Sequence, residues 1–265
     1  MMQFGMPTLI ELNGVEENAA LCRELGLSFV EFNMNLPEYQ ADRLDADKFR
    51  KIADEYGIYY TIHLDENMNV GDFNTNLSAA HTETVLQTIE FAKKLNIPIL
   101  NMHMNGGVWF TLPDKKIFLF EKYDDEYMQK IIAFRDVCDK AISDVDMKIC
   151  IEYGGYKRAP FLVKSLDVLL ESPVFALTLD IGHNASGGFV DEPIIIERAN
   201  RLCHLHIHDA ETKEIRDHLP LGEGELDLRK YLDLAKTHNY RAVLEVKTVD
   251  GLQQSVNWLK ERGYL

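Results

Sequence analysis

The chain is poor in cysteine, and the four it has, Cys22, Cys138, Cys150 and Cys203 among 265 residues, form no CxxC pair. That spacing excludes a CxxC redox or metal motif, and buried reduced thiols are the expected state. No uninterrupted apolar stretch approaches the ~18 residues of a membrane span. The opening MMQFGMPTLIELNG has no basic n-region and runs straight into an apolar segment, so a cytoplasmic protein without a signal peptide is expected. Positive charge is scarce as well. Lys and Arg number 28 against 43 Asp and Glu, for a net charge of -15, which disfavours nonspecific attraction to nucleic acid or anionic membranes, although a local basic patch overrides such an average. There is no low-complexity segment and no linker.

What is abundant is a repeated pairing of apolar runs with amphipathic stretches. The runs MPTLIEL, LSFVEFN, YYTIHL, PILNMHM, KICIEY, FALTLDIGH, LCHLHIHD and AVLEVK are mostly apolar on both faces until their last positions, the pattern of parallel strands covered on both sides. Lys/Glu-rich amphipathic segments follow at Glu16–Gly26, Asp47–Gly57, Leu77–Asn96, Asp125–Asp144, Leu226–Asn239 and Gly251–Arg262, and weaker ones at Val163–Glu171 and Glu192–Asn200. Asn13 and Asp45 mark helix starts, and Gly26 and Gly57 mark stops. Eight such units in 265 residues predict one α/β domain over residues 1–265, a single (β/α)8 TIM barrel, with chemistry at the C-terminal ends of its strands.

At those ends stand His63, His103, Glu152, Asp180, His206 and Glu245. Glu152, Asp180, His206 and Glu245, from four consecutive strands, form a mixed carboxylate and imidazole set suited to Mn²⁺, Mg²⁺, Co²⁺ or Zn²⁺ rather than to soft thiolate chemistry. Each has a plainer explanation: Glu245 paired with a lysine, His206 as a hydrogen-bonded core histidine, Asp180 capping the next turn. Four coincidences at equivalent positions are less economical than one shared cation, because unpaired buried carboxylates are costly. A second set, His63, His103, His183 and His218, leans toward zinc and implies either more than one ion or histidines that touch substrate.

Two loops are long. LDENMNVGDFNTN follows the third strand, and residues 104–124 follow the fourth, with Gly106-Gly107 leading into Trp109, Phe110, Phe118, Phe120 and Tyr123. The second is expected to act as a lid or as an oligomer contact, such as that of a homodimer. Lys157, Arg158, Lys213, Arg216 and Lys247 are the basic residues near the expected mouth, available to a substrate phosphate or solvated.

The stretches LDIGH (Leu179–His183), HLHIHDAE (His204–Glu211), RDHLPLGEGELD (Arg216–Asp227) and LEV (Leu244–Val246) resemble the xylose isomerase-like TIM barrel superfamily, which holds sugar and sugar-phosphate isomerases and epimerases, inosose-processing enzymes and the endonuclease IV group. The resemblance implies that Glu152, Asp180, His206 and Glu245 hold the principal divalent metal. It further implies that Glu152 and Glu245 are catalytic and move the substrate proton, while His183 contacts the sugar. By the endonuclease IV pattern, His63 and His103 would hold one zinc, and His183 with His218 another. The chain departs from that pattern at Arg216, where D-x-H would place an aspartate, and at Tyr153, which replaces an amide.

Two activities follow from the resemblance. One is a sugar or sugar-phosphate isomerase or epimerase, in which the metal holds adjacent substrate oxygens, Glu152 or Glu245 removes the α-proton, and the metal-stabilised enediolate is reprotonated. Here His63, His103, His183, His218 and Lys247 bind substrate. The other is a zinc phosphodiesterase acting on abasic DNA, which needs a basic DNA-tracking surface. The acidic balance, Arg216 and the aromatic loop favour the first and a small hydroxylated substrate. A barrel that binds metal or sugar without turnover is a third reading, disfavoured by the nearly complete ligand set.

Overall fold

The computed structural model describes residues 2–152, 155, 159–213 and 216–265. At its centre eight parallel strands close into a barrel: β1 (Gln3–Pro7), β2 (Phe29–Asn33), β3 (Tyr59–His63), β4 (Ile99–His103), β5 (Lys148–Glu152), β6 (Phe175–Asp180), β7 (Leu202–Ile207) and β8 (Arg241–Leu244). Each lies beside the next in chain order, and β8 closes on β1. The continuous apolar runs have the burial this demands. Every residue of β6 is buried, since one face meets the barrel interior and the other the outer helices.

Those helices are Gly14–Leu25, Ala46–Tyr56, Thr75–Leu95, Asp124–Ile142, Phe161–Leu170, Leu228–His238 and Val249–Glu261. Asp45 caps the second by accepting from the amides of Asp47 and Lys48, and left-handed Gly26 and Gly57 end the first two. Among the described residues, no helix is long and apolar enough to cross a membrane.

Two local expectations change. The first strand stops at Pro7 instead of running through TLIEL, because the Asn18 side chain takes the Leu9 amide at 2.9 Å and draws the chain off the sheet. Ile10 is then left 81% exposed near the mouth. Asn13 occupies the N-cap position of the first helix as expected; its side chain makes no cap hydrogen bond, and its own backbone amide donates to the Glu17 carboxylate at 2.7 Å. The weak sixth helix expected over Glu192–Asn200 is a short helix at Glu192–Ile196 and a 3-10 turn at Ala199–Arg201, and a further short helix, Ile181–Ser186, precedes it.

The loop at 104–124 contains a hairpin, Trp109–Thr111 against Lys116–Phe118, followed by a short helix at Leu119–Lys122. Its aromatics divide into two groups. Phe120 is buried and stacks on Tyr127 with ring centroids 4.2 Å apart, whereas Trp109 and Phe110 are exposed. The other long loop is anchored by buried Met68 and Val70. A second hairpin, Asp209–Glu211 with Arg216–Leu219, stands beyond β7.

Inside the barrel Gly5 faces Phe29, its register partner on β2, and a Cβ at position 5 would lie 2.3 Å from that fully buried ring. Gly5→Ala is therefore expected to destabilise the fold by about 1–3 kcal/mol through overpacking. Urea denaturation with an unchanged midpoint would show that the ring yields freely.

Candidate functional site

Strand register decides which polar ends meet. His103 on β4 is level with Glu152 on β5, and Asp180 on β6 is level with His206 on β7. On β8 the residue level with His206 is Val243, two positions before Glu245, whose amide donates to Ile207 O. The result is a cluster in which one ligand atom each from Glu152, Asp180, His206 and Glu245 lies within 4.8 Å of all the others. His206 Nδ1 is 3.0 Å from Glu245 Oε2, 3.2 Å from Glu152 Oε2 and 3.8 Å from Asp180 Oδ2. All four residues are buried.

Each of the four is gripped through part of its polar group. Glu245 Oε1 accepts from Lys247 Nζ at 2.9 Å, Asp180 Oδ1 caps the following helix by accepting from the His183 amide at 2.6 Å, and the His206 Nε2–H donates to Glu31 Oε1 at 2.8 Å. Glu152 accepts from the Asn101 side-chain amide. The plain explanations for Glu245, His206 and Asp180 thus describe one atom of each. Of the remaining atoms, His206 Nδ1 and Glu245 Oε2 are buried with no hydrogen-bond partner. Three buried carboxylates around an unsatisfied imidazole nitrogen are costly unless a cation joins them, so the residues present fit a divalent ion.

The other expected residues surround this cluster. The His63 Nδ1–H donates to Leu64 O at 2.8 Å, leaving Nε2 3.7 Å from Glu152 Oε2. His103 Nε2 lies 3.3 Å from the same oxygen. His183 Nδ1 is 3.2 Å from Asp180 Oδ2, and His218 Nε2 is 3.9 Å from Glu245 Oε1. Lys247 is half exposed beside Glu245. Of the other basic candidates, Lys213 is exposed in a turn, Arg216 pairs with Glu211, and Lys157 and Arg158 lie outside the described residues, as does Tyr153. A small cleft of about 170 Å³ reaches the cluster between Thr8, Asn33, Asn35, His63, Glu245 and Lys247.

Sequence reasoning missed Glu31, Asn101 and His208. His208 Nδ1 accepts from the His218 amide at 2.7 Å, so its Nε2–H is the donor to Asp180 Oδ1 at 3.1 Å. One nitrogen is thus fixed by the His218 amide while the other holds Asp180. The ring fits because residue 182 is glycine, where a Cβ would lie 1.9 Å from it. The glycine of LDIGH was the available signal. Asp217, one place out of register by spacing, nevertheless lies 2.9 Å from His218 Nδ1 and 3.8 Å from His183 Nε2. The register break between Asp209 and Glu211, with the left-handed backbone of His218 (φ 54°), allows adjacent side chains to meet where a regular strand would alternate them.

Residues 19–262 match the xylose isomerase-like TIM barrel family. The chain belongs to that family. Solved structures share the family fold at low identity. A D-tagatose 3-epimerase-like protein superposes with a TM-score of 0.78 at 20% identity, covering 98% of this chain and 96% of that one. D-allulose 3-epimerase from Methylomonas sp., in complex with D-allulose, gives 0.72 at 14% over 98% and 96%. The IolI protein with a bound zinc atom gives 0.73 at 15% over 100% and 99%. No curated protein sequence matches the chain.

Charge in the cluster is strongly biased. Burial opposes ionisation of Glu152 and Glu245, but neighbouring imidazoles outweigh it and hold both carboxyls well below the usual range. Burial likewise opposes protonation of His206 and His183, yet the carboxylates prevail, raising His206 well above its ordinary value and His183 to about 9. Without a cation His183 is protonated at pH 7, so its contribution to stability is complete below the unfolded value near 6.5 and is lost as pH rises through about 9. A cation must displace protons. Divalent metal uptake at pH 7 is expected to release protons, seen as calorimetric enthalpies that differ between buffers of different ionisation heat. Equal enthalpies in phosphate and Tris would contradict this.

Proposed function

We propose that this chain is a divalent-metal-dependent isomerase or epimerase of sugars or sugar phosphates. The observation that carries the reading is the convergence of Glu152, Asp180, His206 and Glu245 at the buried barrel mouth around two unsatisfied atoms, His206 Nδ1 and Glu245 Oε2. Family membership and the likeness to structures titled as D-tagatose 3-epimerase-like protein and D-allulose 3-epimerase support it.

In this reading Glu152, Asp180, His206 and Glu245 hold the metal, for which the donor set suits Mn²⁺, Zn²⁺, Mg²⁺ or Co²⁺. The bound ion supplies Lewis acidity, raising the acidity of a proton next to a substrate carbonyl. Glu152 and Glu245 are both ionised, so either is ready to accept that proton; such weak bases require an activated carbon acid. A proton taken by one glutamate and delivered by the other to the opposite face inverts a carbon, and one returned to the neighbouring carbon interconverts ketose and aldose. His63, His103, His183, His218 and Lys247 supply hydrogen bonds to substrate oxygens, and the hairpin carrying Trp109 and Phe110 serves as a lid or as a contact between two copies.

A second reading, a zinc phosphodiesterase of the endonuclease IV kind, draws on the proximity of Asp217 to His183 and His218 and of His63 and His103 to Glu152. The net charge of -15 opposes a duplex substrate.

The metal-loaded protein, incubated with a panel of ketoses and their phosphates in D₂O, is expected to introduce solvent deuterium at a carbon next to the carbonyl. Glu152→Gln and Glu245→Gln should lower that exchange by about 10²-fold or more while remaining folded. No exchange with any sugar, combined with cleavage of an abasic oligonucleotide, would replace the first reading by the second.

A further inference from the structure

Glu31 lies at the centre of β2, 2% exposed, and its side chain reaches across the barrel interior. Oε1 accepts from His206 Nε2 at 2.8 Å, and Oε2 accepts from Thr61 Oγ1 at 2.7 Å. His204 is also near, with Nε2 3.4 Å from Oε2, but it makes no hydrogen bond there. A chain of contacts explains why. The Asn101 amide donates to Glu152, which leaves Asn101 Oδ1 to accept the Thr178 hydroxyl at 2.5 Å. Thr178 Oγ1 must then accept from His204 Nδ1 at 3.1 Å, so in the neutral ring Nε2 carries a lone pair. Glu31 is therefore left with one imidazole donor, His206.

We propose that Glu31 is a positioning residue for the metal centre: its carboxylate keeps the His206 proton on Nε2 and so presents the Nδ1 lone pair to the bound cation. This rests on the metal-dependent reading above. The other tautomer would set a lone pair against a buried carboxylate and point an N–H at the cation. Glu31 lies within ligand distance of His204 and His206, yet an ion there would compete for the Nε2 position that Glu31 holds protonated. A carboxylate behind a ligating histidine fixes ring orientation and raises ligand basicity, and losing one typically lowers metal affinity about 10–100-fold.

The test titrates Co²⁺ into metal-free wild type and Glu31→Gln at one pH, following visible absorption and calorimetry, with ring ¹⁵N spectra of His206 in the Zn²⁺-loaded proteins. Glu31→Gln is expected to bind Co²⁺ about 10–100-fold more weakly and to lose the pure Nε2–H form of His206, with circular dichroism unchanged. Thr61→Val, which removes only the hydroxyl steadying Glu31, is expected to give a smaller loss in the same direction and decides the matter if Glu31→Gln fails to fold. Unchanged affinity and an unchanged His206 tautomer in the folded variants would overturn the role of Glu31 while leaving the metal site standing. A wild type that binds no Co²⁺ overturns the metal reading and this proposal together. Co²⁺ binding that depends on Glu31, in a protein inert toward every sugar, sustains the proposal and removes only the isomerase reading.

Discussion

Glu152, Asp180, His206 and Glu245 are each held by a hydrogen-bond partner, and at their centre His206 Nδ1 and Glu245 Oε2 are left unsatisfied. A single cation answers the excess negative charge, the orphaned His206 Nδ1 and the orphaned Glu245 Oε2 at once. Remove any of the rear contacts, from Lys247, the His183 amide, Glu31 or Asn101, and the corresponding side chain gains a choice of orientation. The site depends on that choice having been made before a metal arrives, since preorganised ligands do not have to be ordered on binding.

The barrel supplies the rear contacts by stacking polar residues in layers beneath the mouth. Glu31, Thr61, Asn101, Thr178 and His204 are all buried and satisfy one another except at His204 Nε2. Above the mouth, Asp209 accepts from the amides of Ala210, Gly222 and Leu226, at 2.9, 2.9 and 3.1 Å, and so ties down the segment that follows the second hairpin. Gly224 permits the close approach, because a Cβ there would lie 2.3 Å from Asp209 Oδ1. Of the motif HLHIHDAE, then, His206 faces the centre, His208 steadies Asp180, and Asp209 organises the loop.

Legibility differed between these layers for physical reasons. The four central residues announce themselves by ending apolar runs, as the alternation of a strand and the geometry of a parallel barrel require. Glu31 interrupts its run in the middle of FVEFN, where periodicity alone gives no hint that a carboxylate can be accommodated. Asn101 within ILNMH is hidden for the same reason. Asp217 reaches His183 and His218 although D-x-H spacing would put the aspartate at Arg216, because the hairpin breaks the register that spacing arguments assume.

The sequence by itself determined the barrel, its eight strands and the residue types at their tips, because hydrophobic periodicity and helix punctuation are local properties that survive without contacts. Only the tertiary structure decided which atom of each tip residue is free and which is bound. That depends on partners 51 residues away for Asn101 and Glu152 and 175 residues away for Glu31 and His206, and hydrogen-bond polarity between such partners is set by closure of the barrel.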